Sequence, residues 1–164
     1  MPPCTNEALE AALLGYVMSH PRAVSRLGAL TATDFASKAH AIVFEAIGKV
    51  AAAGRAPTAF AVSEQLSRSE QGASMVRRLV AHESECPSPA EAALHLRELS
   101  ALRTIREGAM QIAAAAERGD IDGAREQASA LVTAAENPND PIRIEAIQES
   151  VAKAWERLMD STKM

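Results

Sequence analysis

The sequence predicts an all-α fold: a compact helical head, an antiparallel helical hairpin, and a separate C-terminal linker helix. Three observations carry this. Apolar residues make up 48% of the chain but aromatics only 3%, so the apolar content is small side chains suited to close helix packing. Apolar positions recur at spacings of three and four, the period of a half-buried helix. No β-branched or aromatic run alternates with period two, and no Asn-Gly or Asp-Gly dipeptide joins strand-like segments. With 164 residues, one core of ordinary size is enough.

The elements follow in order. Thr5 or Asn6 can cap a first helix. Glu7 and Glu10 then lie at the positive end of its dipole, and Leu9, Leu13, Tyr16 and Val17 share a face. Pro21 starts a short second helix carrying Val24, Leu27 and Leu30. Thr31 or Thr33 is expected to cap a longer one. In it Phe35, Ala39, Ile42, Val43, Ala46, Ile47 and Val50 recur before Gly54 ends it, which makes it the expected central core helix. Pro57 and Thr58 restart the chain into a helix near 59–68. Gly72 precedes another, carrying Met75, Val76, Leu79 and Val80, that stops before Pro87 and Pro89.

From about 90 the apolar stripe lengthens through Leu96, Leu99, Leu102, Ile105, Ala109, Ile112 and Ala116, until Gly119 breaks it. A partner helix over 120–136 closes the hairpin. Asn137, Pro138, Asn139, Asp140 and Pro141 are five poor helix formers in succession and read as a linker. Beyond them Ile144, Ile147, Val151 and Leu158 form an amphipathic stripe with Trp155 beside it. A helix this short is marginal alone and needs a partner surface. The expected divisions are thus a head over 1–95, a hairpin over 96–136, a linker over 137–141 and a linker helix over 142–164.

Several functions are disfavoured. A net charge of −4 and a pI near 5.6 argue against a dedicated duplex-binding module, which displaces counterions with a basic surface. Cys4 and Cys86 lie far apart, without metal-ligand spacing or a disulfide framework. No signal peptide or apolar run long enough to span a bilayer is seen, so the chain is expected to be cytoplasmic and not membrane-bound. No phosphate-cradling G-x-x-x-x-G-K-[ST] loop or dinucleotide fingerprint occurs, so no cofactor is expected in this chain.

Candidate reactive residues each have an ordinary explanation. His20, His40, His82 and His95 are isolated, and His40 reads as a satisfied core or boundary histidine. The acidic pairs Glu83 with Glu85 and Asp120 with Asp122 fall at predicted turns, where carboxylates cap helices. Arg103 and Arg106 share a face with Arg97 nearby and are candidate polar contacts for a partner, although interleaved Glu98 and Glu107 suit an ion-paired surface. No catalytic or metal-binding residue is assigned.

One stretch is more specific. DFASKAHAIVFEAIGKVAAAGRAPTAFAVSEQL at 34–66 resembles the signature of DnaB-family helicase N-terminal domains. There an Asp-Phe, a His, an apolar-Phe-x-Ala-Ile run, a Gly, a Pro and a second helix come in this order. EALEAALLGYVMSHPRAVSRL upstream is similar to the family's opening helix, with Glu10 and Leu14-Gly15 in register. CPSPAEAALHLRELSALRTIREGAMQIAAAAERGD resembles the Pro-Ser start of its hairpin. IRIEAIQESVAKAWERLM resembles its linker helix. The chain departs from the pattern near His95, after Pro57 and around 68–73, where the family shows an aromatic, an acidic residue and a longer Gly-rich segment.

The resemblance implies a non-catalytic scaffold of a replicative helicase. Such domains pair through their hairpins, and three dimers form a collar in the hexamer. The collar also holds the C-terminal helicase-binding domain of primase. Leu99, Leu102, Ile105, Ile112 and Leu131 would form the oligomer interface. Ile144, Ile147, Val151, Trp155 and Leu158 would dock on a motor domain, and a helicase loader is a further candidate partner. ATP and Mg would belong to that motor domain alone, and no strong direct DNA binding is expected of this chain.

The sequence stops at Met164, where the family continues into a RecA-like ATPase. The alternative is therefore a stand-alone phage or plasmid relative that binds a host helicase or primase. A helix-turn-helix regulator built on 35–53 and 59–68 has too few cations, only Arg68 on the second helix. A small helical enzyme lacks a nucleophile, base and orienter that could be assembled.

Overall fold

The structure is a computed structural model and describes residues 6–66 and 70–135. Within them lie six α-helices: α1 (Glu7–Ser19), α2 (Lys38–Ala52), α3 (Ala59–Leu66), α4 (Glu70–Val80), α5 (Pro89–Glu117) and α6 (Ile121–Ala135). Short 3₁₀ turns occupy Pro21–Arg26, Ala32–Asp34 and Glu83–Glu85, and no strand occurs among the described residues. The all-α expectation holds.

The chain divides into two compact units, Met1–Ser100 and Ala101–Met164. In the first, α1 is the most enclosed element. Seven of its thirteen residues are buried, against four of the fifteen in α2. This corrects the expectation that the helix after Thr33 is central. α1 packs against α2, α3, α4 and two of the 3₁₀ turns, so it is apolar almost all round. Leu13, Leu14, Val17 and Met18 join Val43, Ile47, Val62, Val76, Leu79, Ala92, Ala93 and Leu96 in one core.

Local chemistry sets the helix ends. The Asn6 side chain accepts from the Leu9 amide at 3.0 Å and caps α1. α2 starts at Lys38, later than expected, because Thr31 caps only the 3₁₀ turn. Asp34 Oδ2 there accepts from the Thr31 amide at 2.8 Å, closing a capping box. Phe35 is then extended, and Ser37 is the true cap of α2. Gly72 lies inside α4 instead of before it. Pro89 opens α5, where its missing amide is harmless.

Gly54 and Gly119 end α2 and α5 with φ of 73° and 72°. At Gly119 the Asp120 amide bonds to the Ala115 carbonyl and the Gly119 amide to that of Ala116, the paired bonds of a Schellman cap. Asp120 Oδ1 then accepts from the Gly123 amide at 2.9 Å and starts α6. A three-residue junction, Arg118–Asp120, thus links α5 to α6.

Candidate functional site

A polar site built around Glu10 lies in the core of the head. Glu10, Leu13, Leu14 and Val17 fall at i, i+3, i+4 and i+7 and so share a face, which puts a carboxylate among apolar neighbours. Glu10 is 0% exposed, so its charge must be satisfied inside the protein. Three donors reach it. The Ala36 amide donates to Oε1 at 2.6 Å, the Ser37 amide to Oε2 at 3.3 Å, and His40 Nδ1 to Oε2 at 2.8 Å. Ser37 caps α2 and His40 is in its first turn, so the carboxylate also occupies the positive end of that helix.

The site anchors the extended chain at 35–37 to α1. His40 is the satisfied boundary histidine the sequence suggested. The role of Glu10 was missed, since it was assigned to the dipole of its own helix. The signal was available: an acid inside an apolar stripe is rarely buried without partners.

The remaining histidines and acidic pairs make local contacts. His20 stacks on Tyr16 with ring centroids 4.4 Å apart. His82 and His95 face Glu85 and Glu98 at 3.1 and 3.4 Å on the surface. Glu83 and Glu85 occupy a 3₁₀ turn. Among the described residues no group of three or more His, Cys, Asp or Glu could hold a metal ion. None of the described helices is long and apolar enough to cross a membrane.

The residues expected to form the hairpin interface do not share one environment. Leu99 and Leu131 are buried, Ile105 and Ile112 half-buried, and Leu102 exposed. Leu131 of α6 sits against Gly108 of α5, whose hypothetical Cβ would lie 2.8 Å from Leu131 Cδ1. Ile105 and Ile112, three before and four after Gly108, share its face. The seam of the hairpin is therefore centred on Gly108 and Leu131. Arg103 is half-buried and Arg106 exposed. Ile144, Ile147, Val151, Trp155 and Leu158 lie outside the described residues.

Sequence reasoning identified Leu102 as interface but missed the apolar surface at Met110, Ile121 and Val132. In the second unit Leu102, Met110, Ile121 and Val132 are 49%, 62%, 65% and 40% exposed. Leu102 shares with Ala109, Ala113 and Ala116 a stripe about 60° wide, and all four are exposed. In the head Phe60 is 79% exposed on α3. An apolar stripe cannot be split by sequence alone into the part that faces its own hairpin partner and the part left over.

Residues 2–101 match the family described as the DnaB-like helicase N terminal domain. No curated protein matches the chain. Among solved structures, the N-terminal domain of DnaB helicase from Mycobacterium tuberculosis shares the fold, with a TM-score of 0.66 at 22% identity. The match covers 77% of this chain and 99% of that one. The head is thus covered almost from end to end by the family, and the chain belongs to the DnaB-like helicase N-terminal domains.

Proposed function

We propose that this chain is the assembly and recruitment module of a replicative DNA helicase, pairing with a second copy through the hairpin. The observation that carries the reading is the apolar surface left on the second unit by Leu102, Met110, Ile121 and Val132. Four large apolar side chains exposed on α5 and α6 suit an interface of the homodimer type, whose buried core is more apolar than ordinary surface. A stable pair buries roughly 800 Å² on each partner, and two helices of this length can supply that.

This refines the sequence expectation. Leu102 remains an interface residue, Leu131 and Gly108 hold the hairpin together, and Ile105 and Ile112 serve the seam first. Three such pairs would build the hexameric collar. The helicase-binding domain of primase would use a smaller, more polar patch that includes Arg103 and Arg106. Ile144, Ile147, Val151, Trp155 and Leu158 would dock on a motor domain, where ATP and Mg do their work. A helicase loader is a further partner, and the cytoplasm is the setting.

The test is the mass in solution of L102D combined with I121D. Both sites are exposed, so circular dichroism should be unchanged while light scattering falls from the mass of a pair to that of one chain. An unchanged mass removes the hairpin from the interface. Titrating the helicase-binding domain of a primase into native chain and R106E tests the second role, and equal affinities would remove Arg106 from it.

A further inference from the structure

The hairpin has two unlike sides. Gly108 and Leu131, which meet across the seam, stand eleven residues before and twelve residues after Gly119, so α5 and α6 run antiparallel. With that contact as the zero of angle, each residue turns by about 100° along its own helix. Because the helices run in opposite directions, an equal turn from the seam on each leads to the same side of the hairpin.

Leu102, Ala109, Ala113 and Ala116 lie about 80–140° round α5, and Ile121, Ala128 and Val132 about 60–100° round α6, so the two stripes share one side. All are exposed except Ala128, which is half-buried, and Arg125 stands at the margin. The other side, about 40–140° round in the opposite sense, carries Thr104, Glu107 and Gln111 on α5 with Glu126 and Ala130 on α6, all exposed. Met110 is on the back of α5, about 160° from the seam.

We infer that a second copy seats on the Leu102, Ile121 and Val132 side of the hairpin alone, making a four-helix bundle of two chains whose polar sides both stay in water. The inference rests on the proposed pairing and goes further by assigning it to one side, with Met110 outside the contact. A two-helix layer that is apolar on one side needs a second layer over that side. A second copy supplies an identical layer, apolar where it is required. A two-fold pair uses the same surface on both subunits, so one such side per chain is enough. A helix length of about 22 Å and two helix widths give roughly 450 Å² in plan, which side-chain relief raises toward the roughly 800 Å² of accessible surface that a stable partner buries.

Ala109 and Ala130 are exposed mid-helix alanines, one on each side, and so allow matched substitutions. In sedimentation of the full chain over a range of concentrations, A109E should weaken pairing at least about tenfold, because its carboxylate would be enclosed between the layers without a partner. V132E, on the other helix of the same side, should behave as A109E does. A130E and M110E should pair as the native chain does. Circular dichroism should show native helix content in all four, since each position is exposed. If A109E and V132E pair as the native chain does, or if A130E or M110E weakens pairing as much as they do, the one-sided seat is overturned while pairing itself stands. A native chain that stays single at every concentration overturns both.

Discussion

Glu10 and His40 are thirty residues apart in the chain and 2.8 Å apart in the head, with the carboxylate wholly buried and the imidazole near the surface. Removing the acid leaves the Ala36 and Ser37 amides and the His40 ring without an acceptor. Each buried donor so orphaned costs about 1–3 kcal/mol. E10A should therefore lose about 3 kcal/mol or more in urea unfolding, and E10Q somewhat less because one oxygen still accepts. H40A should lose about 1 kcal/mol, since both backbone donors keep their partner. An E10Q as stable as native would mean that the charge has no part in holding the chain at 35–37.

Gly15 marks the closest approach of α1 to α4. A Cβ there would overlap the Leu79 carbonyl oxygen and lie 2.9 Å from its carbon, and backbone cannot step aside as a side chain can. Gly48 on α2 has nothing within 4 Å of the same hypothetical atom. The two helical glycines should thus respond oppositely to alanine. G48A should gain about 0.5–1 kcal/mol from reduced freedom of the unfolded chain. G15A should lose about 2 kcal/mol even after that gain, as overpacking forces helices apart. Melting temperatures moving in the same direction would contradict this packing.

Much of the fold is legible in the sequence because it depends on local rules. Gly54 and Gly119 announce their turns, Pro89 its helix start, and the long stripe after 90 its helix. The start of α2 is not legible, since Thr31 and Ser37 are equally good caps. Only the Glu10 carboxylate, a distant partner, decides that the chain stays extended at Phe35. The hairpin surface is half legible. Spacing identifies Leu102, Ile105 and Ile112 as one apolar stripe, but its division between seam and solvent follows from where Gly108 admits Leu131. A glycine inside an otherwise regular helix is the available hint of that close approach.

Leu131 against Gly108 is the hinge of the hairpin's stability. Its terminal carbons lie 2.8 and 3.0 Å from where a Cβ would stand, and they can rotate away, so G108A should be tolerated. A longer side chain at 108 must displace α6 instead. G108L and L131A should each weaken the hairpin by about 2–3 kcal/mol through overpacking or a cavity. Because the two units are separately compact, the loss should be local. Hydrogen exchange should speed up across residues 121–135 while the amides of α1 keep their protection. Loss of protection in both together would mean that the hairpin and the head unfold as one.

Cys86 is buried, and that burial pushes its thiol above the ordinary value near 9.0, with a backbone hydrogen bond to Ser88 pulling weakly the other way. The thiolate is the nucleophile, so burial suppresses both access and the reactive form. Alkylation of Cys86 by iodoacetamide at pH 8, followed by peptide mass, should be at least about tenfold slower in the native protein than in urea. The linkage has a definite sign. Ionisation favours the unfolded chain, whose thiol titrates lower, so this contribution is intact below about pH 9 and is lost as pH rises through the folded value. C86A should lose less stability than native between pH 8 and pH 10. Equal losses would show that the thiol does not titrate against folding.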